Sequence, residues 1–432
     1  MITIGKPKII KSGNKHSRLT CDITINDDVK NIWFEVENDY KKFLAYERSD
    51  AFLIGLIPVA MRTCQDITCT TPVTEELLYQ IETYLIPSLV KQSKSLYATK
   101  IYSQTAPALP RANGVGTGCS CGVDSMHVIA NYYKPKYPHL KLTHLCINSV
   151  GSFNECYGGP EEREKVKSIC IEKSLEVARE LDLPIIITNS NFYEVIPQVH
   201  LYTHTYSSVF AIYALQKLWK VYFYGSSGYD FSMFSLQDSE NISCAHYELL
   251  SLDCFSLRNF KIYSEGGEKT RYEKVDFIKD FPLAQKYLHV CTTKPSNCGV
   301  CPKCMRTILT LYSMNKLSNF KSVFDVNYFE KNKADYLQWL YRQHKNNDEM
   351  NEATYQSLIN DPQLKDIERE DHKAVNFPAS GDKDDKTKSP IFNKLLTTMK
   401  SAYRKTLTLV RLLHKKGIRY SINYTISKIK HQ

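Results

Sequence analysis

Hydrophobic residues recur at different spacings along the chain, and the pattern changes near residue 105. Before that point, β-rich runs at 2–10 and 19–36 are followed by apolar stretches with helical spacing at 51–61 and 75–90. Alternating residues favour strands, and three- and four-residue spacing favours helices. The pattern predicts a small α+β domain over residues 1–105.

From residue 114 onward, short apolar strands alternate with longer stretches of helical periodicity. The predicted strands lie at 115–118, 142–150, 183–188 and 221–224. Strands that alternate with helices predict an α/β fold, here a doubly wound parallel sheet over residues 106–330. Ligands of such sheets bind at the carboxyl ends of the strands. A helical extension over residues 331–368 is predicted to follow.

The last part of the chain is polar and then basic. Residues 369–390 contain Pro378, Gly381 and Pro390 among charged residues, which is typical of a linker. Residues 391–432 hold seven Lys, three Arg and no acidic residue, with apolar residues at helical spacing. This predicts a basic amphipathic tail that binds an anionic membrane surface or a partner protein. A helix packed on the protein's own body is the alternative.

Composition limits the functions to consider. The chain has 432 residues, enough for two or three domains, and outside the tail it carries 46 basic and 46 acidic residues. This neutral body argues against nucleic-acid binding. Neither a signal peptide nor an apolar run of about 20 residues is evident, so we expect a cytoplasmic protein, with the tail favouring a peripheral position at the inner face of the membrane. The 14 cysteines are then thiols or metal ligands.

The sequence GCSCGVDS at 118–125 falls between a predicted strand and a predicted helix. A turn here presents backbone N–H groups and the positive end of the helix to an anion. Ser120 and Ser125 add hydroxyl donors, and Asp124 helps to hold Mg²⁺ or orients the turn. An ordinary turn capped by Ser or Asp is the alternative.

Four cysteines at short spacing, Cys291, Cys298, Cys301 and Cys304, form a second motif. Four thiolates can close a tetrahedral Zn²⁺ site, which leaves no open position for chemistry. We therefore predict a structural zinc site that contributes folding free energy. An iron–sulfur cluster, or buried thiols without metal, are the alternatives.

The first motif resembles the PP-loop of the ATP pyrophosphatases, S-G-G-x-D-S. Ser120, Gly122, Asp124 and Ser125 match this pattern, and Cys121 stands where the pattern has its first glycine. The resemblance implies that the loop binds ATP. The residues implied in nucleotide binding are Ser120, Cys121, Gly122, Val123, Asp124 and Ser125.

Together, the loop and the four cysteines resemble the 7-cyano-7-deazaguanine synthase branch of the PP-loop superfamily over about residues 114–317. The cysteine-rich run also resembles relatives that carry an extra N-terminal domain, accompany bacterial surface-polysaccharide genes and include the muramoyl-dipeptide glutamate epimerase type. The resemblance implies a ligase, synthase or ATP-dependent epimerase. Such an enzyme splits ATP into AMP and pyrophosphate to activate a carbonyl or carboxylate of a small molecule, here in cell-surface glycan biosynthesis.

Two polar segments are predicted to complete the nucleotide pocket. Gly225, Ser226 and Ser227 follow the fourth strand of the parallel sheet and belong at the same edge as the loop. Asn189 ends the third strand and is predicted to contact the adenine–ribose side. For the glycine–serine segment, a plain turn is the alternative.

Arg271 and Lys274 offer cations for a phosphate or carboxylate, and we group them with Asp124 and Ser125 as predicted catalytic residues. A solvated charged loop is the alternative for the basic pair. Two other functions stay open. One is a degenerate nucleotide- and zinc-binding protein that has lost catalysis through Cys121, and the other is a tRNA-modifying PP-loop enzyme.

Overall fold

A computed structural model describes residues 1–153, 160–291 and 294–376. Within these ranges the fold is α/β, and the strands form a mixed, mostly parallel sheet. The coarse fold class predicted from the sequence is therefore confirmed. The residues Met1–Arg369 form one compact unit.

The chain alternates between strands and helices along most of its length. The strands are β1 (Ile2–Ile4), β2 (Lys8–Ser12), β3 (His16–Ile25), β4 (Asp28–Glu37), β5 (Ile67–Cys69), β6 (Val73–Thr74), β7 (Ile101–Tyr102), β8 (Thr105–Ala106), β9 (Gly114–Gly118), β10 (His144–Ser149), β11 (Ile185–Ser190), β12 (Trp219–Gly225) and β13 (Lys261–Glu265). The helices are α1 (Asp50–Thr63), α2 (Glu75–Gln80), α3 (Ile86–Lys91), α4 (Val123–Tyr132), α5 (Pro160–Leu181), α6 (Phe192–Val195), α7 (His200–Ala214), α8 (Glu248–Cys254), α9 (Arg271–Ile278), α10 (Pro282–Tyr287), α11 (Pro302–Ser313), α12 (Val326–Lys345), α13 (Glu349–Leu358) and α14 (Pro362–Asn376).

The last five strands are parallel and lie side by side in the order β13-β12-β9-β10-β11. The chain first builds outward from β9 through β10 to β11, then returns to place β12 and β13 on the other side of β9. This reversal creates a crevice beside the carboxyl end of β9, where open α/β sheets bind ligands. Leu145 and Phe223 pack with α4 and α5 on one face, and Cys146 and Tyr222 pack with α7 on the other.

The parallel sheet predicted over residues 106–330 does not stand alone, because the N-terminal strands extend it into a mixed sheet. β4 pairs antiparallel with β11, with Phe34 opposite Ser190. The β3–β4 hairpin turns at Asn26 and Asp27, whose φ angles of 50° and 68° suit a tight two-residue turn. The predicted domain 1–105 thus shares its sheet and its buried cluster with the parallel strands.

Helices α11 to α14 follow the parallel sheet. The helical extension predicted over residues 331–368 is divided among α12, α13 and α14, and the chain breaks between the first two around Asn347, where φ is 54°. α14 continues into the segment predicted as a linker, since the helix breakers Pro378 and Gly381 come later. The rest of that linker and the basic tail lie outside the described residues. In the part of the chain that is described, no helix has the length and apolar character needed to cross a bilayer.

A substitution at Gly116, which packs against Trp219, tests the packing between β9 and β12. A Cβ at Gly116 would lie 2.6 Å from the Trp219 ring, whereas a Cβ at Gly118 would meet no atom within 4 Å. We expect Gly116→Ala to lower the free energy of unfolding by about 1–3 kcal/mol because the core is overpacked. Gly118→Ala is the matched control, and denaturant unfolding is the measurement. Equal stability of the two variants would contradict the packing described for β9 and β12.

Candidate functional site

The turn between β9 and α4 is shaped by an unusual backbone conformation at Cys121. Its φ angle is 57°, in the left-handed region that glycine adopts easily and other residues adopt at a cost. The Cys121 side chain is buried, and the Ser174 hydroxyl donates to the carbonyl of Cys119 at 2.6 Å. The turn therefore has the shape a glycine would give, held by buried contacts on its inner side.

The outer side of this turn presents hydrogen-bond donors. Gly122 precedes the first helical residue, and the first N–H groups of α4 have no acceptor within the helix. The Ser120 hydroxyl lies 3.3 Å from the Ser125 hydroxyl, and Ser125 donates to the carbonyl of Gly122 at 3.1 Å. Hydroxyls and free N–H groups at a helix N-terminus form a favourable environment for an anion.

Asp124 joins this turn to α9 through two ion pairs. An Nη atom of Arg271 lies 3.0 Å from one carboxylate oxygen, and the Lys274 ammonium lies 3.1 Å from the other. Lys274 is fully buried and also donates to the carbonyl of Ser226 at 3.0 Å. Burial raises the pKa of Asp124, but the charges of Arg271 and Lys274 outweigh it and hold the pKa below its usual value. Asp124 is thus held as a carboxylate.

A capping box fixes the start of α9 and so the position of both cations. The Thr270 hydroxyl accepts from the N–H of Glu273 at 3.2 Å, and the Glu273 carboxylate accepts from the N–H of Thr270 at 2.7 Å. Arg271 and Lys274 are three residues apart, so they lie on one helix face. The predicted catalytic residues Asp124, Ser125, Arg271 and Lys274 are brought together by this arrangement.

The glycine–serine segment after β12 lies beside the same turn. A Cβ at Gly225 would contact Asp124 at 3.4 Å, so the two segments are closely packed. The Ser227 hydroxyl donates to the buried carboxylate of Glu248 at 2.9 Å, and Ser264 donates to its other oxygen at 2.7 Å. Burial raises the pKa of Glu248, and the serine hydroxyls oppose this rise. Glu248 supports the segment, and no sequence motif marks it.

A cavity of about 730 Å³ opens at the carboxyl end of the parallel strands. The predicted nucleotide-binding and catalytic residues among its described lining are Ser120, Gly122, Val123, Asp124, Ser125, Gly225, Ser227 and Arg271, and the predicted metal ligand Cys291 also lines it. Cys121, Ser226 and Lys274 are not part of the lining that the structure describes. Asn189 is not part of the lining that the structure describes; its amide oxygen accepts from Lys167 at 3.4 Å.

Sequence reasoning missed two cations of the cavity wall, Lys303 and Arg306. Both lie on α11, and the Arg306 Nε donates to the Asn351 side chain at 2.9 Å. Within the described ranges, the Lys303 ammonium has no hydrogen bond or ion pair, although the backbone carbonyl of Lys303 accepts from the Thr307 hydroxyl at 2.8 Å. Desolvation of the ammonium by the surrounding protein lowers the pKa of Lys303, and the positive charges of Arg271 and Arg306 lower it further. The sequence feature that could have identified Lys303 and Arg306 is their position next to the metal-ligand cysteines, between and just after Cys301 and Cys304.

The four predicted metal ligands converge at the start of α11. The Sγ atoms of Cys298 and Cys304 are 4.0 Å apart, as are those of Cys291 and Cys301. All four sulfurs lie within 4.8 Å of one another. Tetrahedral Zn²⁺ with bonds of about 2.3 Å places its sulfurs about 3.8 Å apart, so the cluster could hold a metal such as zinc.

Comparisons of the chain with protein-family models, with curated proteins and with solved structures found no match. The resemblance to PP-loop proteins therefore stays a prediction from the motifs. The argument for function rests on the geometry of this chain's own residues.

Replacing Cys301 with serine tests the metal cluster. We expect Cys301→Ser to lose the bound Zn²⁺ and to lower the free energy of unfolding, because a closed metal site contributes to folding. Metal analysis by mass spectrometry and thermal unfolding are the measurements. Cys64→Ser is the matched control, since Cys64 is an exposed free cysteine outside the cluster. Zinc retained in Cys301→Ser, or an iron–sulfur absorption spectrum in the unaltered protein, would contradict the zinc assignment.

Proposed function

We propose that this chain is an ATP-dependent adenylating enzyme that splits ATP into AMP and pyrophosphate. The observation that carries the proposal is the turn at 118–125, whose donors face a cavity with three cations on its wall. Its position beside β9, at the reversal of the strand order, supports nucleotide binding there. The motif resemblance to PP-loop enzymes agrees with this proposal.

The proposed reaction transfers an adenylyl group to an oxygen of the substrate. A carbonyl or carboxylate oxygen attacks the α-phosphorus of ATP, and the bond from this phosphorus to the oxygen that bridges to the β-phosphorus breaks. The electron pair leaves with pyrophosphate, and a later nucleophile or intramolecular step releases AMP. Negative charge therefore accumulates on pyrophosphate, and donors fixed in advance around it stabilise the transition state.

The cavity residues have separate places in this scheme. Hydroxyls and N–H groups of the turn would bind pyrophosphate, while Arg271, Lys303 and Arg306 would neutralise its charge. Ile147 and Phe153 line the cavity and offer apolar surface to the adenine base. The volume of about 730 Å³ lies within the usual range for small-molecule sites.

Asp124 is better suited to position the turn than to bind Mg²⁺. Both of its oxygens already accept from cations, Arg271 and Lys274. Mg²⁺ is usually held by one or two carboxylates together with the phosphates of the substrate. When bound with ATP, Mg²⁺ would neutralise charge on the phosphates. We assign Asp124 to the orientation of the turn and of Arg271.

The conformation of Cys121 argues against the alternative that this residue has abolished catalysis and left only a binding protein. The residue adopts the left-handed conformation that a glycine would adopt, with φ of 57°. The substitution adds backbone strain on the order of 1–2 kcal/mol but leaves the turn formed. The proposed substrate is a small molecule with a carbonyl or carboxylate oxygen, and the resemblance suggests a precursor of cell-surface glycans.

The test is release of AMP and pyrophosphate from ATP, with muramoyl peptides and nucleotide sugars as acceptors. We expect Lys303→Met to reduce AMP formation strongly while unfolding stays unchanged, since Lys303 faces the open cavity. Arg258→Ala is the matched control because Arg258 is a highly exposed cation outside the cavity lining. AMP formation that is equal in both variants would remove the cavity cations from the mechanism.

A second variant tests the turn itself. Asp124→Asn is expected to abolish AMP formation because Arg271 and the turn lose their common anchor. It also leaves Lys274 buried without its carboxylate, which costs about 3–5 kcal/mol. Circular dichroism at low temperature must therefore show folded protein before activity is compared. Full AMP formation by folded Asp124→Asn would contradict the proposed role of the turn.

A further inference from the structure

A buried histidine outside the predicted site has no hydrogen-bond partner. His127 lies on α4, one turn beyond Asp124, and its side chain is fully buried. Neither ring nitrogen has a hydrogen-bond partner among the described residues. A buried polar group without a partner costs about 1–3 kcal/mol, so such an arrangement calls for a physical explanation.

Two carboxylates converge on this imidazole. Glu265 is the last residue of β13, Glu268 lies in the turn that follows, and the ligand atoms of the three residues lie within 4.8 Å of one another. Asn131 and Tyr132 donate to the two oxygens of Glu265 at 3.0 Å and 2.8 Å. These bonds fix the orientation of that carboxylate and leave each oxygen able to accept another bond.

We propose that His127, Glu265 and Glu268 bind a divalent transition-metal ion of the Zn²⁺ or Mn²⁺ type. One imidazole nitrogen with two carboxylates is a donor set that suits these ions. Ligands of one tetrahedral ion lie about 3.3 Å apart, so the three atoms must approach by at most about 1.5 Å. Glu268 is exposed and can move by this amount through a change of side-chain rotamer.

Two lysines close to the glutamates affect the binding of a positively charged ion. Lys269 lies 2.5 Å from a Glu268 oxygen and would be displaced by the ion, and its partly exposed side chain can turn to solvent. Lys274 is already paired with Asp124. Two carboxylates balance the charge of a divalent ion, so the site would be neutral when filled.

The bound ion would connect α4, β13 and the loop before α9. His127 belongs to α4, Glu265 ends β13, and Glu268 lies just before α9. α9 carries Arg271 and Lys274, so the ion would hold these cations in register with α4. The inference does not rest on the proposed ATP chemistry, because it concerns residues outside the described cavity lining.

The test is a Mn²⁺ titration of the full-length protein without nucleotide, with the metal of the cysteine cluster left in place. Electron paramagnetic resonance of free Mn²⁺ measures binding. We expect one Mn²⁺ per chain, and Glu268→Gln and His127→Gln should each weaken it by at least about tenfold because a ligand is lost. Lys269→Met should tighten binding, since it removes a competing positive charge.

Two controls separate this site from its neighbours. Asp276→Asn should leave Mn²⁺ affinity unchanged, because Asp276 is an exposed carboxylate on α9 that pairs with Lys279. Folded Asp124→Asn should still bind the ion, but less tightly than the Asp276→Asn control, because Lys274 loses its carboxylate partner near His127. The proposal is wrong if the unaltered protein binds no Mn²⁺ or if Glu268→Gln binds it as tightly. It is also wrong if the ion is lost in Asp124→Asn and kept in Glu268→Gln, which would assign it to the turn.

Discussion

The ion pairs of Asp124 with Arg271 and Lys274 are the interaction on which the geometry of the site depends. Lys274 is fully buried, so its charge needs a close carboxylate, and Asp124 provides one. Asp124 lies in the first turn of α4 and both cations lie in the first two turns of α9. The pairs therefore join the ends of two helices that follow different strands. The donors of the turn and the guanidinium of Arg271 consequently face one cavity.

The local elements of this arrangement could be predicted from the sequence. The strand before the turn, the α4 start and the four cysteines are all marked by spacing within a few residues. The mixed sheet could not be predicted, because β4 and β11 pair across about 150 residues and no local pattern selects that partner. Glu248 was missed for a similar reason, since its role depends on serines from two other segments. Sequence spacing identifies the turn but not the groups that support it.

Cys121 shows how the two levels of information differ. In the sequence, Cys121 stands where the PP-loop pattern has its first glycine. The structure gives it the backbone conformation of a glycine and buries its side chain beside Ser174, with Sγ 3.8 Å from the hydroxyl. Burial of the thiol offsets part of the strain that the positive φ angle costs. A cysteine can thus form the turn that a glycine would form, because burial of its side chain offsets part of the free energy that its backbone conformation costs.

The cysteine cluster is connected to the cavity through charge as well as through folding. Its sulfurs lie at the start of α11. Lys303 is in the first turn of this helix, and Arg306 is in the second. Three cations on one wall repel each other, and Asp124 and Asp348 only partly balance them. Such an excess of positive charge is stable when a rigid support keeps the groups in place and an anionic ligand binds between them. A metal ion held by the four cysteines at the base of α11 would provide that support. The cluster would therefore affect ligand binding through the position of Lys303 and Arg306, and Cys291 itself also lines the cavity.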